Sequence, residues 1–183
     1  MFMEYSDMQL VKRRFFAMRN GIVADALRHT GHTYRMIFGL NLPQIAEIAQ
    51  SAPHTAEFAR QLWDDVRTRE SLLLAPMLFP REEMTETEAR EWMESVTHTE
   101  VADILCHRLL RHMPFAPSLI SAYLQSDSDM LRYTSLRLMR NLLPACAAEA
   151  DSAARRELAR SCALTKPLCL NILDETEFLL NEN

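Results

Sequence analysis

Tyr133, Arg137 and Arg140 stand at i, i+4 and i+7 in the sequence, the spacing that brings side chains onto one face of a helix. An aromatic ring between two guanidiniums can stack a base and hold a phosphate. The same spacing also describes a solvated face carrying an incidental tyrosine. Arg108 and Arg111, on the preceding helical stretch, would extend the face into a basic stripe, and Arg132 adjoins it. Asp103 falls at the margin of an apolar arc formed by Val101, Ala102, Leu105, Cys106 and Leu109, so it is expected to be half-buried. A carboxylate in that position reads either as half of an ion pair with an arginine on a neighbouring repeat, Arg132 being the candidate, or as an acid lining the groove.

Other chemistries find little support. Cys106, Cys146, Cys162 and Cys169 match no paired-thiolate zinc spacing, and His107 and His112 lie five apart, the wrong distance for two ligands on one helical face. No metal site and no cofactor are expected, and the thiols are read as small core residues of a reduced, cytoplasmic protein. The three glycines, Gly21, Gly31 and Gly39, all lie in the first forty residues. A phosphate-cradling loop, a dinucleotide fingerprint and a nucleophile elbow each need glycines at fixed offsets, so all three are excluded.

The elements that must position these residues are helices. Apolar residues recur at three and four rather than at two, and no stretch alternates as a strand would. The spacing predicts one helix over 10–26, weak at Asn20-Gly21, and another opened by Leu42-Pro43. Further helices are predicted over 55–64, 69–79, 86–96, 100–113, 118–125, 129–143, 152–163 and 168–181. Pro80, Pro114, Pro117, Pro144 and Pro167 punctuate these segments. Taken in pairs, the segments begin near Thr55, Glu86, Ser118 and Ser152, a repeat of helical hairpins. The fold expected is an all-α, HEAT-like array stacked into a curved solenoid with a concave surface, one domain spanning 1–183. Within it, 1–53 supplies N-terminal helices and 54–183 about four hairpins.

Several of these local patterns resemble the HEAT-like alkylpurine DNA glycosylases of the DNA alkylation-repair family. Met18-Arg19-Asn20 followed by Phe38-Gly39-Leu40-Asn41-Leu42-Pro43 is similar to that family's leader. Leu62-Trp63, Arg69-Glu70 and Ala75 resemble its next hairpin, and Val101-Ala102-Asp103 matches the place of its catalytic aspartate. The resemblance covers roughly 18–143. It implies that Asp103 is the catalytic residue, stabilising the cationic sugar formed as a methylated base departs, and that DNA is the partner. The departures are specific. Thr99 stands where the family has a tryptophan, Tyr133 stands where it has an arginine with Arg132 one residue away, and no tryptophan follows Leu143.

Charge pulls in two directions. The chain has 25 acidic and 20 basic residues for a net charge of -5, which does not favour tight non-specific DNA binding. Residues 1–40 nevertheless hold six basic side chains (Lys12, Arg13, Arg14, Arg19, Arg28, Arg35) against three acidic ones (Glu4, Asp7, Asp25). The acidic run from Glu82 to Glu100 reads as a solvated helix face. Three functions therefore remain open: excision of cationic alkylated purines from DNA bound in the groove, structure-specific DNA binding without excision, and a non-catalytic scaffold for a protein partner.

Overall fold

The computed structural model of the protein describes residues 5–181, which form eleven α-helices, two short 3-10 turns and no strand beyond an isolated bridge between Met36 and Thr68. The all-α expectation holds. The described residues form two compact units, divided between Met84 and Thr85.

The first unit holds α1 (Asp7–Ala17), α2 (Gly21–His29), α3 (Leu42–Ala49), α4 (Ala56–Asp64) and α5 (Arg69–Leu78). The single helix expected over 10–26 is two. Asn20 adopts an extended conformation, and its side chain accepts from the Val23 N–H, so it starts a new helix instead of continuing the old one. Capping boxes start α1 at Ser6 with Gln9 and α3 at Asn41 with Gln44, the latter with Pro43 in its first turn. Helix α5 is buried along nearly its whole length and packs against α3 and α4, with Leu73, Leu74 and Leu78 fully enclosed.

Two motifs distant in sequence meet at the start of α5. The Glu70 carboxylate, wholly buried, accepts backbone N–H groups of Phe38 at 3.1 Å, Gly39 at 3.0 Å and Leu40 at 3.4 Å. Arg69 bridges that carboxylate and the Leu40 carbonyl, so the buried charge is both paired and hydrogen-bonded. Gly39 has φ +78°, and a Cβ there would lie 2.2 Å from the Asn20 carbonyl oxygen. The glycine turn and the Arg-Glu pair are thus one structural device holding the approach to α3.

The second unit holds α6 (Glu86–Ser95), α7 (Thr99–Arg108), α8 (Ala116–Tyr123), α9 (Asp129–Asn141), α10 (Ala147–Leu158) and α11 (Lys166–Asn181). The stretch expected as one helix over 100–113 ends at Arg108, because Leu109 leaves helical geometry and a 3-10 turn over Leu110–His112 follows. Helix α10 begins five residues before the expected Ser152, packing Ala150, Ala153 and Ala154 inward. Helix α9 is central: α6, α7, α8, α10 and α11 all pack on it. A central helix presents side chains in several directions, so its successive residues reach different neighbours.

Candidate functional site

A cleft of about 430 Å³ opens in the second unit between α7, α9 and the start of α11. Thr99 and Asp103 reach it from α7, and Tyr133, Arg137 and Arg140 from α9. The far wall is Ala163 and Leu164 of the connection before α11, then Pro167, Leu168 and Asn171. The i, i+4, i+7 face of α9 and the aspartate of α7 therefore share one cavity.

The Asp103 carboxylate is held from α9. The Tyr133 hydroxyl donates to its Oδ1 at 2.9 Å, and Arg137 Nε stands 3.2 Å from the same oxygen. The Arg137 contact is an ion pair without hydrogen-bond alignment, because Nε is buried yet makes no hydrogen bond. Arg132, the candidate partner of Asp103 in the ion-pair reading, does not meet it, and Arg137 takes that place. Burial raises the Asp103 pKa above the usual carboxylate value, opposed by Arg137, the Tyr133 hydrogen bond and Arg140. Burial likewise raises Tyr133, and the neighbouring Asp103 charge adds to it, so the phenol remains a donor.

Arg140, the second guanidinium in the cleft, is engaged by Glu175 of α11. Its Nε reaches both carboxylate oxygens, at 3.0 and 3.1 Å, and its NH2 group reaches Oε1 as well. The Arg140 hydrogen bonds hold the Glu175 pKa below its ordinary value. Each arginine of the cleft is thus matched by a carboxylate, which lowers the attraction for a phosphate relative to a bare pair of guanidiniums.

The other predicted residues fall elsewhere. Arg132 is buried, its Nε donating to both oxygens of buried Glu157 at 3.0 and 3.1 Å and NH1 to the Ser126 carbonyl at 2.7 Å. It does not line the cleft, because one residue along a helix turns a side chain by roughly 100°. Thr165 also donates to Glu157, tying down the connection that supplies Ala163 and Leu164 to the cleft wall. Arg108 is exposed at the end of α7, and Arg111 contacts His107 and His112. Neither lines the cleft. Burial lowers the His107 pKa, and Arg111, Arg108 and Arg137 lower it further, which places that imidazole in a basic field. Cys106 is buried behind Asp103 and donates its thiol to the Thr134 carbonyl. Among the described residues no group of three histidine, cysteine or carboxylate side chains could hold a metal ion, and no helix is long and apolar enough to cross a membrane.

Sequence reasoning found nothing functional beyond Leu143 and so missed Glu175 and Asn171. Both come from α11, about a whole repeat away from the residues they join. Only the packing of α11 on α9 brings them in.

Paired helices whose facing surfaces enclose a cleft with one carboxylate and two guanidiniums define an α-helical repeat protein. The chain matches the family described as DNA alkylation repair enzyme over residues 11–181, and it belongs to that family. The match runs well past the 18–143 stretch on which the sequence resemblance rests, and takes in α10 and α11. No curated protein and no solved structure matches the chain.

Proposed function

We propose that the cleft binds alkylated DNA and that Asp103 promotes loss of a cationic alkylated purine. The observation carrying this reading is the Asp103 carboxylate, half-exposed in a cleft and fixed through Oδ1 by Tyr133 and Arg137. An alkylated purine bearing positive charge leaves with the electron pair of its bond to C1′ and becomes neutral. The sugar is left as an oxocarbenium ion, which a carboxylate stabilises in the transition state, when that charge develops. Water then adds at C1′, and its proton passes to solvent or to the carboxylate. Arg137 and Arg140 are assigned to the flanking phosphates, with Arg108 and Arg111 as outlying contacts. Arg132, committed to Glu157, is left out of this assignment.

The second reading, DNA binding without excision, is favoured by one feature. Among the described residues, Tyr133 is the only aromatic lining the cleft, and its hydroxyl is committed to Asp103. A single assay separates the two: release of methylated purines from alkylated duplex by wild type and Asp103→Asn. Excision requires release by wild type and a loss of at least about tenfold in the variant, with DNA affinity retained. Wild-type protein that binds the duplex and releases no base establishes the second reading.

A further inference from the structure

A separate groove of about 670 Å³ lies in the first unit, along α1 and against the segment preceding α3. Its floor is apolar, with Met8, Met36 and Phe38, and none of its lining residues is acidic, in a protein of net charge -5. Tyr5, just before α1, is 46% exposed, and Phe16, near its end, is 56% exposed. The two rings bracket the groove at a separation of roughly 15 Å along the helix axis.

Both rings carry a guanidinium. Arg13 lies 4.5 Å from the centroid of Tyr5, and Arg19 lies 3.8 Å from that of Phe16. No carboxylate of the described residues pairs with Arg13 or Arg19, whereas Arg28, Arg90, Arg132, Arg140 and Arg155 each have one. Lys12, also on the groove, is offset by Asp65 at 2.8 Å. At this groove the cations without a carboxylate are therefore the two guanidiniums that flank the exposed rings.

Flat apolar faces beside unpaired cations fit a ligand that is itself flat-ringed and anionic along a chain. We infer that this groove binds a short run of unpaired nucleotides, with bases stacked on Phe16 and Tyr5 and phosphates held by Arg13 and Arg19. Base pairs in a duplex keep their faces stacked on one another, so the groove selects single-stranded over double-stranded nucleic acid. The inference does not depend on the cleft, since none of the groove's residues lines it.

The test is fluorescence anisotropy with a labelled oligothymidylate of roughly twelve nucleotides, the same length of abasic strand, and a matched duplex. Wild type is expected to bind the oligothymidylate at least about tenfold more tightly than the abasic strand, which offers phosphates without rings. Arg13→Glu with Arg19→Glu should weaken binding by at least about tenfold and flatten its salt slope by about 1.4, at about 0.7 for each phosphate no longer neutralised. Phe16→Ala, at an exposed site, provides a variant with no charge change; it should lose the preference for thymidylate over abasic strand while keeping the wild-type melting temperature. Affinity unchanged in both variants overturns the proposal. So does loss of single-strand binding in Arg137→Ala with Arg140→Ala, which would seat the strand in the cleft. Concentration-dependent self-association abolished by Phe16→Ala, with no oligothymidylate binding, reassigns the groove to protein and overturns it equally.

Discussion

Arg132 and Tyr133 are adjacent on α9 yet serve different neighbours: Tyr133 donates to Asp103 of α7 at 2.9 Å, whereas Arg132 is buried against Glu157 of α10 at 3.0 Å. One belongs to the cleft and the other to the packing behind it. Replacing Arg132 by alanine leaves Glu157 buried without its main cation, which should cost roughly 3–5 kcal/mol in denaturant unfolding. Tyr133→Phe removes one hydrogen bond at a half-buried site and should cost about 1 kcal/mol. Equal losses in the two variants would refute this division of roles.

Gly39→Ala tests the device that joins the two family-like motifs of the first unit. The residue has φ +78°, and its new Cβ would meet the Asn20 carbonyl oxygen, a backbone atom that cannot swing aside. Both effects act in the same direction, so destabilisation of at least about 2 kcal/mol is expected from chemical unfolding. A variant as stable as wild type would mean that this turn is not under the constraint described.

The helical hairpins were legible because their signals are local. Interhelical prolines and three-four spacing each act within a turn or two of chain, and the structure adds side-chain caps of the same local kind at Thr55, Thr85 and Ser128. Asn20 was underestimated: Asn20-Gly21 reads as a weak point in a helix, but the asparagine side chain makes it a helix start. In the cleft, the face of Tyr133, Arg137 and Arg140 followed from helical geometry, and the resemblance supplied Asp103. Their pairing did not follow. Arg132 and Arg137 are both arginines of α9, and only the rotation of the helix against α7 and α10 decides which one meets which carboxylate. Glu175 lay beyond reach for the same reason, since its contact with Arg140 comes from the docking of α11.

The Asp103 pKa is raised in the folded protein, chiefly by burial. A raised carboxylate pKa means that the folded state binds its proton more tightly than the unfolded chain does. The stability linked to that proton is fully present below the unfolded pKa and is lost as pH rises through the folded one. At neutral pH ionised Asp103 is therefore a cost to folding, and Asp103→Asn should melt at or above the wild-type temperature there. That advantage should shrink toward about pH 3, where the wild-type carboxyl is itself protonated. If base release occurs, its acid limb should lie above the ordinary carboxylate value and move upward in Tyr133→Phe, which removes a hydrogen bond favouring the ionised form. Thermal melts across this range and a pH profile of release check both parts, and a melting temperature well below wild type at pH 7 would identify Asp103 as a structural ion pair.

Glu175 occupies the Nε edge of Arg140 with both of its oxygens. A phosphate approaching that guanidinium meets a carboxylate already in place, so Glu175→Gln should tighten duplex binding by up to about tenfold and steepen the salt slope by about one unit. The gain must pass through Arg140. In an Arg140→Ala background the same change should have little effect, and Asp174→Asn on the neighbouring exposed position should give less, because it removes a charge without freeing a donor. The pair also links α11 to α9, and Arg140 hydrogen bonds depress the Glu175 pKa, so its contribution to stability is present above the unfolded carboxylate value and lost as pH falls through the folded one. Both side chains are partly exposed, so solvent screening keeps that contribution to about 1 kcal/mol or less. Affinity that is unchanged or weaker in Glu175→Gln, measured at low salt on a protein shown to be folded, would mean that Glu175 positions Arg140 for the phosphate instead of competing with it.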